Sequence, residues 1–500
     1  MGDPLLCGVD AGTSRVRAML FTLAGTVVAQ ADRPTPTRYP RPGWAEHDAE
    51  ELWAATVAAL RDVTGQVDDP TRIRGIACAS VGEAGVVVDR EGRPVFPVIA
   101  WFDTRTTSQL DGLLEQVGFS RLHGITGLCP DPTFTLPKLL WQRANEPDAF
   151  ARATSWLSVA EWLAFRLTGQ RATDVSHASR TMLLDIHKGV WAKDLAAEVR
   201  LDAGLLGEIG SSGTRLGTLL AEAAAATGLP ADCVVGVAGH DHICGMFTVG
   251  ADRPGVLLDS MGSAEALTLI LDAPSRDPEL GRAGFNQGLI DAGRRLSYAF
   301  GGLPTSGAAV EWFRSTHEGV DHATLLAEAE QVEQGAHEVM FFPHLRIGSP
   351  PFPDPVGRGA FIGLSSSCSR GVLYRAVLEG VVLDVANILD HMLALCGAGR
   401  PDRIVAIGGS TRNPLIIRLK ADLFEAPVEF ADMPEATCLG AALLGGIAAG
   451  LFADLPAARS GLTWSARRQL PSGVDHRRRK ADFAAMYAAL RPLHAGLLRA

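Results

Sequence analysis

Two stretches of similar pattern decide the fold: residues 5–21 read LLCGVDAGTSRVRAMLF, and residues 256–271 read VLLDSMGSAEALTLIL. Each has an apolar run, a turn of small residues and a second apolar run, which predicts two strands joined by a tight turn. Gly262 takes the place in the second stretch that Gly12 has in the first. The repeat predicts two related domains, with chance similarity of two ordinary hairpins as the alternative. In the first stretch the predicted strands cover residues 5–9 and 16–21.

Strand and helix patterns alternate along the rest of the chain, which predicts an α/β fold. Helical spacing of apolar residues predicts helices, and short apolar runs predict buried strands. A run of turn residues over 250–255 interrupts the apolar pattern just before the second stretch, so we expect domains over residues 1–252 and 253–500. The predicted helices cover residues 52–60, 160–167, 219–226 and 377–395, and the predicted strands cover residues 27–30, 73–79, 233–237 and 404–407.

Length and composition exclude several classes of protein. The chain has 500 residues, 47% of them hydrophobic and 20% charged, so it is neither a small module nor an acidic disordered tail. Its formal net charge of -10 argues against nucleic acid and anionic lipid as partners. The basic run at residues 477–480 is predicted to be the solvated start of a helix.

The spacing of the cysteines and the first residues of the chain indicate the cellular compartment of the protein. The 8 cysteines are scattered without a CxxC pair, which fits a reducing compartment. The opening residues lack the pattern of an export signal, and the longest charge-free apolar stretch, residues 438–452, is too short to cross a bilayer. We therefore expect a cytoplasmic protein with no membrane partner.

Several enzyme motifs are absent. The sequence contains no GxxxxGK[ST], no GxGxxG after a strand, no HExxH, no GxSxG and no cysteine–histidine cluster with zinc spacing. His240, Asp241 and His242 are consecutive, and on an extended segment such neighbours would point to opposite faces and could not bind one ion together. No metal site of that kind is predicted.

The turn over residues 10–14 has the chemistry of a phosphate site. Gly12 lets the backbone approach an anion closely, and Thr13 and Ser14 can donate hydrogen bonds. Asp10 could hold Mg²⁺ directly or through water. A plain hairpin remains the alternative for this turn taken alone.

Asp241 and the segment 404–413 also follow predicted strands. A carboxylate at a strand end of an open α/β sheet can accept a proton from an attacking hydroxyl group, or it can cap the helix predicted after it. Gly408 and Gly409 would let a flat ligand lie against the backbone, and Asn413 offers a donor and an acceptor to a nucleobase or ribose. The small residues over 436–442 are predicted to allow close helix packing.

Taken together and in order, these motifs resemble the FGGY family of carbohydrate kinases along nearly the whole chain. The segments that carry the resemblance are GVDAGTS at 8–14, SVGEAGVVVDREGRPVFPVIAWFDTRT at 80–106, AGHDHICGMF at 238–247, DSMGSAE at 259–265, GAFIGLSSSCSRGVLYRAVLEG at 359–380, GGSTRNP at 408–414 and ATCLGAA at 436–442. The resemblance implies two ribonuclease H-like, actin-like ATPase domains that flank a catalytic cleft. It also implies that the second domain mainly holds ATP and the first mainly holds the sugar.

The same resemblance implies a role for each matching residue. Asp241 would be the general base that also contacts the substrate, and Asp10 would be the acid associated with Mg²⁺. The nucleotide would be bound by Gly12, Thr13, Ser14, Gly262, Ser263, Gly307, Gly408, Gly409 and Asn413. The sugar would be bound by Glu83, Trp101, Asp103 and Arg105, although Trp101 could instead be packed in the core.

The acceptor is the least determined part of the resemblance. The segment VGEAG at residues 81–85 departs from the sequences found in xylulose and glycerol kinases, and residues 134–185 look most like fuculose kinases. We expect an ATP-dependent kinase of a small sugar, first a ketose like fuculose or xylulose. The alternative is a polyol or sugar-acid (gluconate-type) kinase, with Arg105 as the candidate cation for an acid. A non-enzymatic sugar- or nucleotide-sensing actin-like protein is a third reading, and the resemblance also implies pairing into a homodimer.

Overall fold

The structure, a computed structural model, describes residues 2–291, 296–332, 338–431, 433, 435–462 and 466–497. The strands of the first half are β1 (Leu5–Ala11), β2 (Arg15–Thr22), β3 (Val27–Pro34), β4 (Glu46–His47), β5 (Ile73–Ser80), β6 (Gly85–Val88), β7 (Val98–Ile99), β8 (Ser155–Ser158), β9 (Thr173–Asp174), β10 (Leu184–Asp185), β11 (Val190–Trp191), β12 (Ile209–Gly210), β13 (Arg215–Thr218) and β14 (Val234–Gly236). Its helices are α1 (Ala49–Thr64), α2 (Thr107–Val117), α3 (Phe119–Thr126), α4 (Thr135–Asn145), α5 (Pro147–Phe150), α6 (Val159–Thr168), α7 (Val175–Ala178), α8 (Lys193–Glu198), α9 (Ala221–Thr227) and α10 (Asp241–Val249).

The main sheet of the first half has the strand order β13-β14-β5-β1-β2-β3. β1, β2 and β3 form an antiparallel meander, while β5 and β14 run parallel to β1. Strand β1 extends to Ala11, two residues beyond the predicted end, because the pairing of Asp10 with Arg17 and of Ala11 with Val16 continues the ladder. Asp10 therefore lies inside the strand, and the turn itself is shorter than predicted.

The second half repeats this plan. Its strands are β15 (Val256–Met261), β16 (Glu265–Leu271), β17 (Asn286–Leu289), β18 (Ser297–Leu303), β19 (Met340–Phe342), β20 (Ala360–Ile362), β21 (Arg403–Ile407), β22 (Val428–Ala431) and β23 (Arg467–Gln469). Its helices are α11 (Pro278–Arg282), α12 (Gly307–Ser315), α13 (His322–Glu330), α14 (Arg370–Cys396), α15 (Pro414–Phe424), α16 (Ala436–Ala448), α17 (Leu455–Ser460) and α18 (Arg477–Leu497).

The second sheet has the strand order β17-β18-β16-β15-β21-β22-β23. β15, β16 and β18 are antiparallel neighbours, and β21 and β22 run parallel to β15. This is the arrangement of β1, β2, β3, β5 and β14 in the first sheet. The two stretches identified in the sequence therefore open two sheets of the same topology.

Each sheet is covered by helices that bury its apolar side chains. The core of the first half lies between the first sheet and helices that include α1 and α6, and the larger core of the second half surrounds α14. Helix α14 is the longest of the described elements, begins at a Ser369 side-chain cap and ends at Gly397 in a left-handed conformation. The predicted helix over 377–395 is the C-terminal part of α14.

Helix α16 belongs to the second half but packs against the first sheet. A Cβ atom on Gly8 of β1 would lie 1.8 Å from the carbonyl oxygen of Cys438, and a Cβ atom on Gly75 of β5 would lie 2.3 Å from that of Gly445. On the same helix, a Cβ atom on Gly440 would lie 2.0 Å from the carbonyl oxygen of Cys244 in α10. The small residues of α16 thus allow its backbone to lie directly against the backbones of β1, β5 and α10. This is the close helix packing that the sequence predicts.

The basic run opens α18, which begins at Arg477. Arg477 and Arg478 are exposed, whereas Arg479 donates to the carbonyl oxygen of Val339 and to Glu379. Only part of the run is therefore solvated. Among the described residues, we find no helix with the length and apolarity needed to span a bilayer.

We predict that Gly8→Ala lowers the thermal unfolding midpoint. The new methyl group would collide with backbone atoms of α16, and overpacking of this kind costs about 1–3 kcal/mol, with about 2–4 °C per kcal/mol for a domain of this size. Differential scanning calorimetry would measure the shift. The control is Gly112→Ala in α2, where nothing lies near the added Cβ and the midpoint should stay or rise. Equal midpoints for the two variants would contradict the prediction.

Candidate active site

Three parallel strands of the first sheet bring the predicted catalytic segments to one edge. The backbone N–H of Val81 donates to the carbonyl oxygen of Ala11 (3.2 Å), and that of Ser80 donates to the carbonyl oxygen of Gly239 (3.3 Å). The residues that follow β1, β5 and β14 are therefore neighbours, at the carboxyl edge where ligands bind in open α/β sheets. This edge is the candidate active site.

Asp10 lies at this edge with an incompletely satisfied carboxylate. Its side chain is partly accessible, and its buried Oδ1 has no hydrogen-bond partner among the described residues. Burial and the nearby charge of Asp241 raise the pKa of Asp10 to about 7, and Arg17 and Arg15 oppose this rise. A cation would stabilise a buried carboxylate whose pKa is raised by burial and by a neighbouring carboxylate. Asp10 therefore fits the role of a group that holds Mg²⁺.

Asp241 is the first residue of α10, so the segment around it is helical rather than extended. Its Oδ1 accepts the backbone N–H of His242 (2.6 Å) and lies 3.3 Å from Nε2 of His240. Burial raises the pKa of Asp241, and His242 opposes this rise. The side chain remains 25% exposed, so the carboxylate contributes to the first turn of the helix and still reaches solvent.

Contrary to the expectation from the sequence, the segment that holds His240 and His242 is not extended. Because a helix begins at Asp241, the rings of His240 and His242 lie on neighbouring positions with centroids 5.2 Å apart. Among the described residues, no group of three or more histidine, cysteine, aspartate or glutamate side chains is placed to hold a metal ion. Burial lowers the pKa of His240 well below its usual value, so this imidazole is neutral.

Glu83 is held in an unusual backbone conformation next to Asp241. Its φ of 59° is in the left-handed region, which costs a non-glycine residue free energy and is typical of functional sites. Nζ of Lys138 fixes the turn by donating to the carbonyl oxygens of Glu83 (2.7 Å) and Ala100 (3.0 Å). Nε of Arg180 donates to Oε1 of Glu83 (2.5 Å). Arg180 therefore holds the carboxylate of Glu83, and Lys138 holds its backbone.

Trp101 lies on the surface of the site and not in the core. Its side chain is 42% exposed, and its Nε1 donates to Oγ1 of Thr13 (3.0 Å). The alternative of core packing is therefore wrong. The indole connects the predicted sugar-side segment to the predicted phosphate turn.

Asp103 and Arg105 are buried and bind each other. Asp103 accepts hydrogen bonds from the backbone of Ala45 and from the guanidinium group of Arg105, which also pairs with Glu46. Arg105 lies over the ring of Trp44 at 3.9 Å and its side chain is only 2% exposed. These contacts support the loop that carries Trp101. Direct contact of either side chain with a sugar stays a prediction.

The predicted nucleotide segments of the second half pack closely on one another. The backbone N–H groups of Gly307 and Ala308 donate to the carbonyl oxygens of Gly262 (3.2 Å) and Ser263 (3.0 Å). A Cβ atom on Gly307 would lie 2.5 Å from the carbonyl oxygen of Gly262, so the start of α12 can approach the turn only with glycine there. Gly307 thus supports the turn over residues 262–264.

Gly408, Gly409 and Asn413 connect β21 to α15. Gly408 has a φ of 104°, and a Cβ atom there would lie 2.5 Å from the carbonyl oxygen of Met261. A Cβ atom on Gly409 would meet nothing within 4 Å, which leaves room for a ligand against the backbone. Oδ1 of Asn413 caps α15 by accepting the N–H groups of Leu415 and Ile416, so only its amide nitrogen is left for a nucleotide.

Sequence reasoning missed several residues of the site. Arg180 and Lys138 contact Glu83 but stand far from it in the sequence, and Phe300 comes from β18 of the second half. Phe300 lies 5.7 Å from the guanidinium carbon of Arg180, and its ring centroid is 5.8 Å from that of His242. Burial raises the pKa of Tyr298 on the same strand, and the nearby Arg180 opposes this rise. The sequence signal was weak: a lysine and an arginine within otherwise apolar stretches.

Comparison with known proteins identifies the family. Residues 5–248 match the FGGY family of carbohydrate kinases, N-terminal domain, and residues 261–449 match its C-terminal domain. The chain belongs to the FGGY family of carbohydrate kinases. It is 32% identical to a glycerol kinase of Bordetella parapertussis over 93% of this chain and 92% of that protein.

Solved structures support the same assignment. A xylulose kinase from Rhodospirillum rubrum is 28% identical, with a TM-score of 0.89 over 98% of this chain and 100% of that one. A Plasmodium falciparum glycerol kinase with ADP has a TM-score of 0.87 over 98% of each chain, and its 21% identity bears on the fold alone. The predicted two-domain actin-like ATPase fold is confirmed. The protein is an ATP-dependent phosphotransferase that uses a hydroxyl group as acceptor.

We predict that kcat/KM for the acceptor falls as the pH is lowered. If Asp241 is the base, it must be deprotonated to accept a proton. Because burial raises the pKa of Asp241, its protonation begins at a higher pH than that of an ordinary aspartate, whose pKa is about 3.9. Because Asp10 and Asp241 interact, the midpoint of this limb belongs to the pair. Initial rates across the pH range, with circular dichroism at each pH, would measure it. A profile that stays flat down to about pH 4 would contradict the prediction.

Proposed function

We propose that this kinase transfers the γ-phosphate of ATP to a hydroxyl group of a small neutral sugar, first a ketose, and that Asp241 takes the proton from that hydroxyl group. The observation that carries the proposal is the grouping of Asp10, Glu83 and Asp241 at the carboxyl edge of the first sheet, beside the exposed indole of Trp101. Such an edge can hold a polyhydroxylated ligand against an apolar ring face.

Asp241 supports the role of base by its environment. It is partly exposed, it is anchored through one oxygen, and burial raises its pKa towards the range useful for proton transfer at neutral pH. Glu83 and Arg180 lie on the same side of the site and affect the pKa of Asp241. We infer that Glu83 accepts hydrogen bonds from the sugar and that Arg180 holds its carboxylate in place.

The phosphate side of the proposal rests on the two turns. Gly12, Thr13 and Ser14 would bind the terminal phosphates from the first half, and Gly262 and Ser263 from the second. Phosphoryl transfer depends mainly on positioning and charge stabilisation. Asp10 would hold Mg²⁺, which when bound neutralises charge on the phosphates.

A neutral acceptor fits the charges of the site better than a sugar acid. Arg105, the candidate cation for an acid, is occupied by Asp103 and Glu46 beneath Trp44. Arg180 is paired with Glu83. Both arginine side chains are therefore already paired with carboxylates. A carboxylate on the acceptor is disfavoured, because the carboxylates of the site would repel it.

Glycerol or a related polyol is the second candidate acceptor. The relative named glycerol kinase is 32% identical, slightly above the 28% of the xylulose kinase structure. A shorter acceptor would use Glu83 and Asp241 in the same way. The domain boundary at 252/253, pairing into a homodimer and a cytoplasmic location stay predictions.

The test of the acceptor class is a screen in which ATP consumption is coupled to a spectrophotometric readout. We expect turnover with one or more ketoses or deoxyketoses, or with a polyol, and background rates with aldonates such as gluconate. The screen should include glycerol and xylulose at equal concentrations. Activity confined to sugar acids would overturn the neutral-acceptor proposal.

We predict that Asp241→Asn reduces kcat by at least about 10²-fold and leaves the affinity for ADP unchanged, because the variant loses the base and keeps the fold. The matched variant is Glu83→Gln, which should chiefly raise KM for the acceptor. Steady-state kinetics and calorimetric titration with ADP would measure both effects. Turnover like that of the wild type in Asp241→Asn would remove Asp241 from the mechanism.

A further inference from the structure

A lysine is buried within the nucleotide half of the site. Lys420 lies in α15, and its side chain has no exposed surface. Its Nζ donates to Oδ2 of Asp259 and to Oε1 of Glu265, which are also buried. An ammonium group is taken out of water in this way only when it is fully paired, and two carboxylates pair it here.

The two carboxylates flank the phosphate turn of the second half. Asp259 precedes the turn on β15, and Glu265 follows it on β16. In the register of this antiparallel pair Met261 faces Glu265 and Asp259 faces Leu267, so both carboxylates lie on the same face of the hairpin. Lys420 therefore connects β15 and β16, the two strands that flank the turn, through Asp259 and Glu265.

Glu265 also connects the turn to the start of α12. Its Oε2 accepts a hydrogen bond from Oγ of Ser306 (2.6 Å), the residue before Gly307. The next two N–H groups of that segment donate to the carbonyl oxygens of Gly262 and Ser263. The carbonyl groups of the turn are thus held from the side of α12.

Helix α15 carries the third nucleotide segment. It begins directly after Asn413, whose side chain caps it, and Lys420 lies on the same rigid helix about two turns further on. The residues before it, Gly408 and Gly409, form the glycine pair of the proposed nucleotide pocket. A single ammonium group therefore joins the turn over 262–264, the start of α12 and the loop before α15.

We propose that Lys420 is a positioning residue for ATP, which holds these three segments in register through Asp259 and Glu265. The inference rests on the proposed binding of ATP by these segments. Without the ammonium group two buried carboxylates would face each other unpaired, and their repulsion would displace the hairpin that ends in the turn. Burial and the nearby Glu265 raise the pKa of Asp259, and Lys420 opposes this rise.

The test compares Lys420→Met with Arg375→Met. Arg375 forms a buried ion pair with Glu379 on α14 of the same half, and its guanidinium group bonds within this helix rather than to the turn over 262–264, the start of α12 or the loop before α15. We expect Lys420→Met to weaken ADP binding and raise KM for ATP by about 10-fold to about 10²-fold, with KM for the acceptor unchanged. Arg375→Met should lower the melting midpoint and leave ADP affinity unchanged. Equal ADP affinities in the two variants, measured by calorimetry below both midpoints, would overturn the proposal.

A second variant guards against a failure to fold. Lys420→Met combined with Asp259→Asn and Glu265→Gln removes all three charges, and charge-free replacements of a buried ion cluster are generally tolerated. We expect it to fold and still bind ADP more weakly than the wild type, because the bridging donor is absent. Wild-type ADP affinity in this variant would overturn the proposal.

ADP affinity separates this inference from the proposed acceptor. If the wild type binds ADP but phosphorylates no neutral sugar or polyol, the acceptor class is wrong and the comparison of Lys420→Met with Arg375→Met still decides the positioning role. If acceptor turnover is as proposed and Lys420→Met binds ADP like the wild type, only the positioning role is wrong.

Discussion

The contact of α16 with the first sheet is the constraint on which the rest of the molecule depends. Glycines at residues 8, 75 and 440 leave no space between backbones, so this helix of the second half lies directly on β1, β5 and α10. Interiors as dense as this transmit displacement because no void can absorb it. Since β1 carries Asp10 and α10 carries Asp241, the position of α16 sets the position of both acids. Oγ1 of Thr248 near the end of α10 also donates to the carbonyl oxygen of Ala436 at the start of α16 (2.7 Å).

The buried carboxylates of the two halves of the site differ in whether the protein itself compensates their charge. In the first half, Asp10 keeps a buried oxygen without a partner and shares its surroundings with Asp241. In the second half, Asp259 and Glu265 are compensated by Lys420 inside the protein. The first arrangement is suited to an external cation and a substrate, and the second to a rigid support.

Short-range patterns in the sequence were enough to predict the hairpins, the repeat and the α/β class, because strand and turn signals at residues 5–21 and 256–271 are local. They also placed Glu83 and Asp241 after strands that turned out to be neighbours, β5 and β14, whereas Asp10 lies within β1 itself. The pairing of Glu83 with Arg180, the burial of Arg105 under Trp44 and the approach of Phe300 from the other half could not be predicted, since each depends on contacts between distant segments. The structure likewise corrected the local geometry at Asp241, which is the first residue of α10 and not part of an extended segment.

The hydrogen bond between Trp101 and Thr13 has a fixed direction. An indole N–H can only donate, so the hydroxyl oxygen of Thr13 must accept, and the hydroxyl proton is turned away from the ring. That proton is then free to point into the turn over residues 10–14, where an anion would meet it. The indole of Trp101 thus orients the hydroxyl proton of Thr13 towards the turn before an anion binds there.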